Sequence, residues 1–270
     1  MKFGICSEIF KEWDDIERVF TYVKALGYDG IELAPFTLAP YVTDIPASTR
    51  TRIRNTAEQV GLEIVGLHWL LVGPEGMHIS HPDAEVRAKT AAYIEDLARF
   101  CSDVGGRVMI FGSPKQRSVI PPLSQDQARA YAVDTFRAAL PVCAEKGVTL
   151  CMEPLSRVET DFCQTAAETS KLVDAVDHPQ FQMMLDVKAM TTETEDRPTL
   201  IRTYADRLRH FHANDASLNG PGWGDVDFKP IFDALKAIQY TGYVSVEVFN
   251  FEPGAEKIAE SSLAYMKQFV

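Results

Sequence analysis

Nothing in the sequence is apolar for long enough to cross a bilayer. A membrane helix needs roughly 18 or more apolar residues in succession, and no run comes near that. The first ten residues, "MKFGICSEIF", carry one Lys but neither a long apolar stretch nor a small-residue cleavage site. No secretory leader is expected, and a cytoplasmic location is. Positive charge is scarce: 27 Lys and Arg stand against 38 Asp and Glu, a net charge of −11. Nucleic-acid binding depends on neutralising phosphates, so this balance argues against such a partner. Cysteine is sparse too, with five residues, no CxxC and no regular spacing. That pattern argues against a disulfide or thiol-metal role, and the thiols read as reduced, mostly buried, small apolar groups. There is no Pro-, Gly- or Ser-rich linker and no low-complexity segment. A single domain spanning residues 1–270 is therefore expected.

What is present is a repeating alternation. Short apolar runs at 2–6, 30–34, 62–67, 107–112, 148–153, 181–186, 208–213 and 243–248 alternate with amphipathic stretches at 14–26, 46–60, 83–104, 124–146, 165–177, 197–205, 228–238 and 254–268. Gly27, Gly61, Gly105, Gly147 and Gly242 each stand just before the next apolar run, where helix ends favour glycine. Near-continuously apolar strands separated by helices indicate parallel pairing with both faces covered. Eight such units in about 250 residues match a (β/α)₈ TIM barrel, an α/β fold, better than a doubly wound open sheet.

In such a barrel the chemistry gathers at the C-terminal ends of the strands. Those ends hold Glu8, Glu32, His68 with Trp69, Ser113 to Lys115, Glu153, Asp186, His212 and Glu247. The last four interrupt or terminate apolar runs: "LCME", "MMLD", "HFH" and "VSVE". Buried carboxylates are costly without a partner, and three converging would repel one another. A divalent cation at the centre of the mouth resolves both costs. Three carboxylates and one imidazole make a hard donor set suited to Mn²⁺, Mg²⁺ or Co²⁺. Each residue taken singly is equally compatible with local hydrogen bonding at a strand end; four on consecutive units are not.

The segments "MEPLSRVET", "MMLD", "HFHANDASLNGPGWGDVDFKPIFDAL" and "GYVSVEVF" resemble the sugar-phosphate isomerase/epimerase superfamily with its xylose-isomerase-like barrel. The resemblance is nearest to the ketose 3-epimerases and covers essentially the whole chain. It implies one divalent metal ion, Mn²⁺ first, held by Glu153, Asp186, His212 and Glu247. It implies that Glu153 and Glu247 double as the acid/base pair across a bound sugar. It also makes Glu159 a residue near or on the substrate and places His68 and Trp69 along the cleft. Homo-oligomers are common in that superfamily, so a homo-oligomer is an open expectation here.

The expected chemistry follows from these parts. A metal that chelates a carbonyl and its neighbouring hydroxyl acidifies the adjacent C–H. One glutamate removes that proton to give an ene-diolate, and the other returns it from the opposite face, inverting the centre. A small sugar or polyol substrate is the expected partner. With a leaving group at the β position the same machinery eliminates water, so a dehydratase of a keto-polyol or dehydroshikimate-like acid is the alternative.

The chain departs from the family's pattern in two places. Ala189 stands where relatives carry a substrate-touching His, and Lys188, one residue earlier, is the candidate replacement contact. No Arg follows the strand-7 histidine near Leu218, and no Lys or Arg lies between Phe211 and Phe228, which favours a non-phosphorylated substrate. A metal-dependent apurinic-site endonuclease on the same barrel needs several extra histidines, and the chain has six in all. A non-catalytic sugar-binding module has no use for two glutamates at a metal set.

Overall fold

A computed structural model describes all 270 residues, Met1–Val270. Eight strands close a parallel barrel in chain order: β1 (Lys2–Cys6), β2 (Gly30–Leu33), β3 (Glu63–Leu67), β4 (Val108–Phe111), β5 (Thr149–Met152), β6 (Phe181–Asp186), β7 (Leu208–Ala213) and β8 (Tyr243–Val246), with β1 pairing β8 to complete the ring. The helices α1 (Ile16–Leu26), α2 (Ala47–Val60), α3 (Ala84–Val104), α4 (Gln125–Lys146), α5 (Ala166–Val176), α6 (Arg197–Thr203), α7 (Lys229–Ala237) and α8 (Ala255–Met266) alternate with them. The TIM barrel read from the alternation is therefore the fold. Its strands run apolar on both faces because helices cover the outside and side chains fill the inside.

Most of the core lies between sheet and helices, in one cluster of 70 buried residues. A separate small cluster of Ile110, Cys151 and Met184 plugs the lumen. Strand side chains alternate with a period of two. The parity that turns Ile110, Cys151 and Met184 inward therefore also aims Gly112, Glu153 and Asp186 inward, one layer nearer the mouth. On β7 the same parity aims His210 and His212 at the lumen, and both are buried.

Helix ends match the sequence pattern with one exception. Asp15, Asp83, Thr165 and Asp196 cap their helices, and Ser124 forms a reciprocal capping box with Gln127. Gly27, Gly61, Gly105 and Gly147 close theirs in the left-handed conformation. Gly242 does not cap a helix: α7 ends at Ala237, and the left-handed residue there is Gln239. Gly242 is instead required by proximity, since a Cβ would lie 2.5 Å from the Tyr240 hydroxyl. Gly66 is required for a harder reason. It sits where β3 meets β4, and a Cβ would overlap the backbone carbonyl of Val108.

Candidate active site

The mouth of the barrel gathers the four strand-end residues. One ligand atom each from Glu153, Asp186, His212 and Glu247 lie within 4.8 Å of one another, and all four residues are buried. Each is held from behind. Glu153 follows β5, where its backbone N–H donates to Phe111 O at 3.1 Å. Gly112 leaves it room, since a Cβ there would lie 2.5 Å from Glu153 Oε2. Asp186 ends β6 and accepts from Ala189 N at 2.7 Å and from Asn214 Nδ2 at 2.5 Å. Glu247, just past β8, accepts from Trp69 Nε1 at 3.1 Å. His212 Nδ1 lies 3.2 Å from Glu247 Oε2, and neither atom has a hydrogen-bond partner.

The electrostatics follow from this crowding. Burial and the charges of Glu247 and Asp186 push the Glu153 carboxyl well above the usual range. Burial and Glu247 raise Asp186 to about 6. Burial works against ionising Glu247 as well, but the attraction of His212 and His68 outweighs it and holds that carboxyl well below its ordinary value. His212 is held well above the usual imidazole range: burial opposes its charge, and Glu247 and Glu32 override it. Such a cluster of carboxylates is unfavourable by itself and favourable around a cation. Its unpartnered buried atoms, Glu247 Oε2 and His212 Nδ1, and its oxygen-rich donor set fit a hard divalent ion. Cys6 also lies near His212, in a second buried group with Glu32 and His68, and burial raises its thiol to about 12.

The cavity above these residues has a volume of about 200 Å³, and its walls include His68, Trp69, Glu153, Glu159, Glu247 and Phe249. Trp69 adopts a left-handed backbone (φ 54°), a costly conformation for a bulky residue. It turns the indole towards Glu247 and against Phe36 and Phe249, with ring centroids 5.8 and 6.3 Å away. His68 lies between two carboxylates, with Nε2 2.8 Å from Glu8 Oε2 and Nδ1 3.5 Å from Glu247 Oε1. Neither contact has hydrogen-bond alignment.

Glu159 and Lys188 face each other. Lys188 Nζ donates to Glu159 Oε1 at 2.6 Å and stands 4.2 Å over the Phe249 ring. The other Glu159 oxygen accepts from Ser156 Oγ at 2.6 Å. Glu159 reaches the cavity wall; Lys188 does not line it. Arg157 is exposed, while His78 and His81 use Nδ1 to accept from the backbone N–H groups of Ser80 and Asp83. Asp215 secures its own loop by accepting from Ser217 N and Val226 N.

Some supporting residues carry no local sequence signal. Arg117 is fully buried without a carboxylate partner. Its guanidinium donates to the carbonyls of Gly112, Glu153, Phe162 and Cys163 at 2.7–3.0 Å, tying β4, β5 and the loop beyond β5 together. Asn214 joins Asp186 to the Lys188 backbone N–H, which donates to Asn214 Oδ1 at 2.8 Å. Both lie in loops, where no periodicity marks a functional position.

Comparison with known proteins agrees with the fold. The family described as "Xylose isomerase-like TIM barrel" matches residues 20–269. The chain belongs to that family. Among curated members it is 26% identical to a probable ketose 3-epimerase of Synechocystis sp., over 99% of this chain and 96% of that protein. It is 30% identical to a D-psicose 3-epimerase of Ruminiclostridium cellulolyticum, over 92% of this chain and 84% of that protein. A D-psicose 3-epimerase from Clostridium cellulolyticum H10, solved with D-tagatose, superposes with a TM-score of 0.86 at 23% identity, covering 100% of this chain and 99% of that one. At that identity the superposition shows a shared fold. This xylose isomerase-like barrel is an isomerase-class enzyme.

Proposed function

We propose that the protein is a divalent-metal-dependent epimerase of a non-phosphorylated ketose or related keto-sugar. Glu153, Asp186, His212 and Glu247 hold the metal, with Mn²⁺ preferred over Mg²⁺ or Co²⁺, and Glu153 and Glu247 form the acid/base pair. The observation that carries this reading is the convergence of three carboxylates and one imidazole, all buried, within 4.8 Å beneath an open cavity. The epimerases among its relatives support the reaction class.

When bound, the ion supplies Lewis-acid polarisation of a carbonyl, which acidifies the neighbouring C–H. The protein does the rest. One glutamate takes the proton and the other returns one on the opposite face of the planar intermediate. Glu247 is aimed by the Trp69 indole, and Glu153 by the end of β5 and by Arg117, which fastens the Glu153 carbonyl. Asp186 keeps its orientation through Ala189 and Asn214. Trp69, Leu155 and Phe249 give the cavity apolar walls that exclude water from the reacting carbon. Two of the cations near the mouth are already engaged, Lys188 with Glu159 and Arg117 with backbone carbonyls, which supports a non-phosphorylated substrate. Glu159 and Lys188 act as a pair on the substrate side, with Glu159 the member that touches the sugar, and His68 and Trp69 line its path. No helix is long and apolar enough to cross a membrane, and a cytoplasmic small-molecule enzyme accords with this reading.

The test is proton NMR in D₂O after incubation of metal-loaded protein with ketoses, keto-polyols and keto acids, the metal being removed before acquisition. Deuterium entering at a carbon next to a carbonyl, and failing to enter with Glu247→Gln, supports the assignment and names the carbon. Loss of water with new ultraviolet absorbance reassigns the reaction to elimination. Undiminished exchange in Glu247→Gln removes that residue from the acid/base pair.

A further inference from the structure

Beneath the mouth, the barrel lumen holds a second tier of polar groups. Glu32, on β2, is fully buried, and so are His210 and His212 of β7. Both imidazoles turn Nε2 towards the one carboxylate: His210 Nε2 lies 2.7 Å from Glu32 Oε1, and His212 Nε2 lies 3.2 Å from Glu32 Oε2. An ionised carboxylate can only accept, so each Nε2 must carry the proton it shares with Glu32. A neutral imidazole protonated on Nε2 keeps its lone pair on Nδ1. In His212 that atom lies 3.2 Å from Glu247 Oε2 and is unpartnered, and His212 and Glu247 belong to one ligand group with Glu153 and Asp186.

We infer that Glu32 is the positioning residue of the metal centre: braced by His210, it fixes the tautomer and ring plane of His212 so that Nδ1 presents a lone pair to the ion. The inference rests on the metal-binding reading above. An isolated imidazole at this position would turn about its side-chain bonds and exchange its proton between nitrogens. Glu32 removes both freedoms, and it does so from the opposite side of the ring to the other ligands. Outer carboxylates of this kind raise ligand basicity, and their loss typically weakens metal affinity by about 10–100-fold.

Glu32→Gln is the informative variant, because it preserves volume while changing the hydrogen-bonding pattern. A carboxamide can accept from one ring but presents N–H to the other. The shorter bond, to His210, is the one expected to persist. His212 must then release its Nε2 proton or rotate, and either change spoils Nδ1 as a ligand. Glu32→Ala, which removes the acceptor from both rings, is the second variant. Mn²⁺ is titrated into each metal-free protein, with free Mn²⁺ followed by its electron paramagnetic resonance signal and folding checked by circular dichroism.

The expected result is one tight site in the wild type and a dissociation constant about 10–100-fold weaker in both variants, with the barrel still folded. Ring-nitrogen NMR of the Mg²⁺-loaded wild type should place the His212 proton on Nε2. A proton on Nδ1, or wild-type affinity in both folded variants, overturns the inference while leaving the metal reading intact. A wild type that binds no Mn²⁺ overturns the metal reading and this inference with it.

Discussion

The metal-free protein should lose stability as pH rises through the range where most proteins are steadiest. Asp186 is fully buried and its carboxyl is raised from 3.8 to about 6 by burial and by Glu247. Where the folded value exceeds the unfolded one, the folded state holds a proton that the unfolded chain has already released. Stability is therefore complete below about pH 4 and is lost as pH climbs through 6. A displacement of about two units corresponds to about 3 kcal/mol, at roughly 1.4 kcal/mol per unit. For a chain of 270 residues the unfolding entropy near the midpoint is about 0.6 kcal/mol per kelvin, so the loss amounts to about 5 °C in Tm. Glu153, raised further by burial and by its carboxylate neighbours, extends the window upward. Bound metal requires these groups deprotonated and reverses the penalty.

The assay is calorimetry from pH 4.5 to 8, with EDTA in one series and Mn²⁺ in the other. Subtracting the two curves cancels surface groups the ion does not touch. About a third of that loss has already occurred by pH 4.5, so the difference in Tm should widen by at least about 3 °C between pH 4.5 and 7. Parallel curves would refute the reasoning, because they would mean that the cluster does not titrate between the two states.

Trp69→Phe keeps an aromatic wall but removes the indole N–H from Glu247; a hydrogen bond to a charged group contributes about 1.5–3 kcal/mol. A fall in kcat of about 10-fold or more, with KM little changed, is expected, and an unchanged kcat would show that the bond does not aim the carboxylate. Arg117→Met leaves four carbonyls without their donor and should cost more than about 3 kcal/mol; a Tm within 2 °C of wild type would contradict the bracing role. Gly66→Ala sets a methyl group against the Val108 backbone, which cannot move without opening the β3–β4 seam. Overpacking of that kind costs about 1–3 kcal/mol or more, and a variant melting like wild type would show that the seam is compliant.

How much of this was legible in the sequence depends on how local the signal is. The barrel was legible because each β-α unit announces itself within about 30 residues, through an apolar run and a capped amphipathic stretch. Glu153, Asp186, His212 and Glu247 stood out for a similar reason: a polar residue ending an apolar strand is visible to the eye. Gly242 shows the limit of that reasoning. A glycine before a strand fits a helix cap, but here it only makes room for the Tyr240 ring. The pairings were not legible, because they join residues far apart in the chain. Glu8 meets His68, Lys188 meets Glu159, and Glu32 meets His210 and His212 across the lumen.

The two kinds of residue differ in what they need from the fold. A strand end supplies the position of a metal ligand but not its orientation, since a carboxylate or imidazole turns freely about its side-chain bonds. Orientation comes from contacts made after the barrel closes, and here each ligand has its own. Trp69 holds Glu247, Asn214 and Ala189 hold Asp186, Glu32 holds His212, and Arg117 fixes the backbone of Glu153. These holders come from β2 and from the loops after β3, β4, β6 and β7. An insertion in any one of those loops would therefore disturb a single ligand and leave the other three aimed. On this account the centre should fail one donor at a time, first in metal affinity and only later in folding.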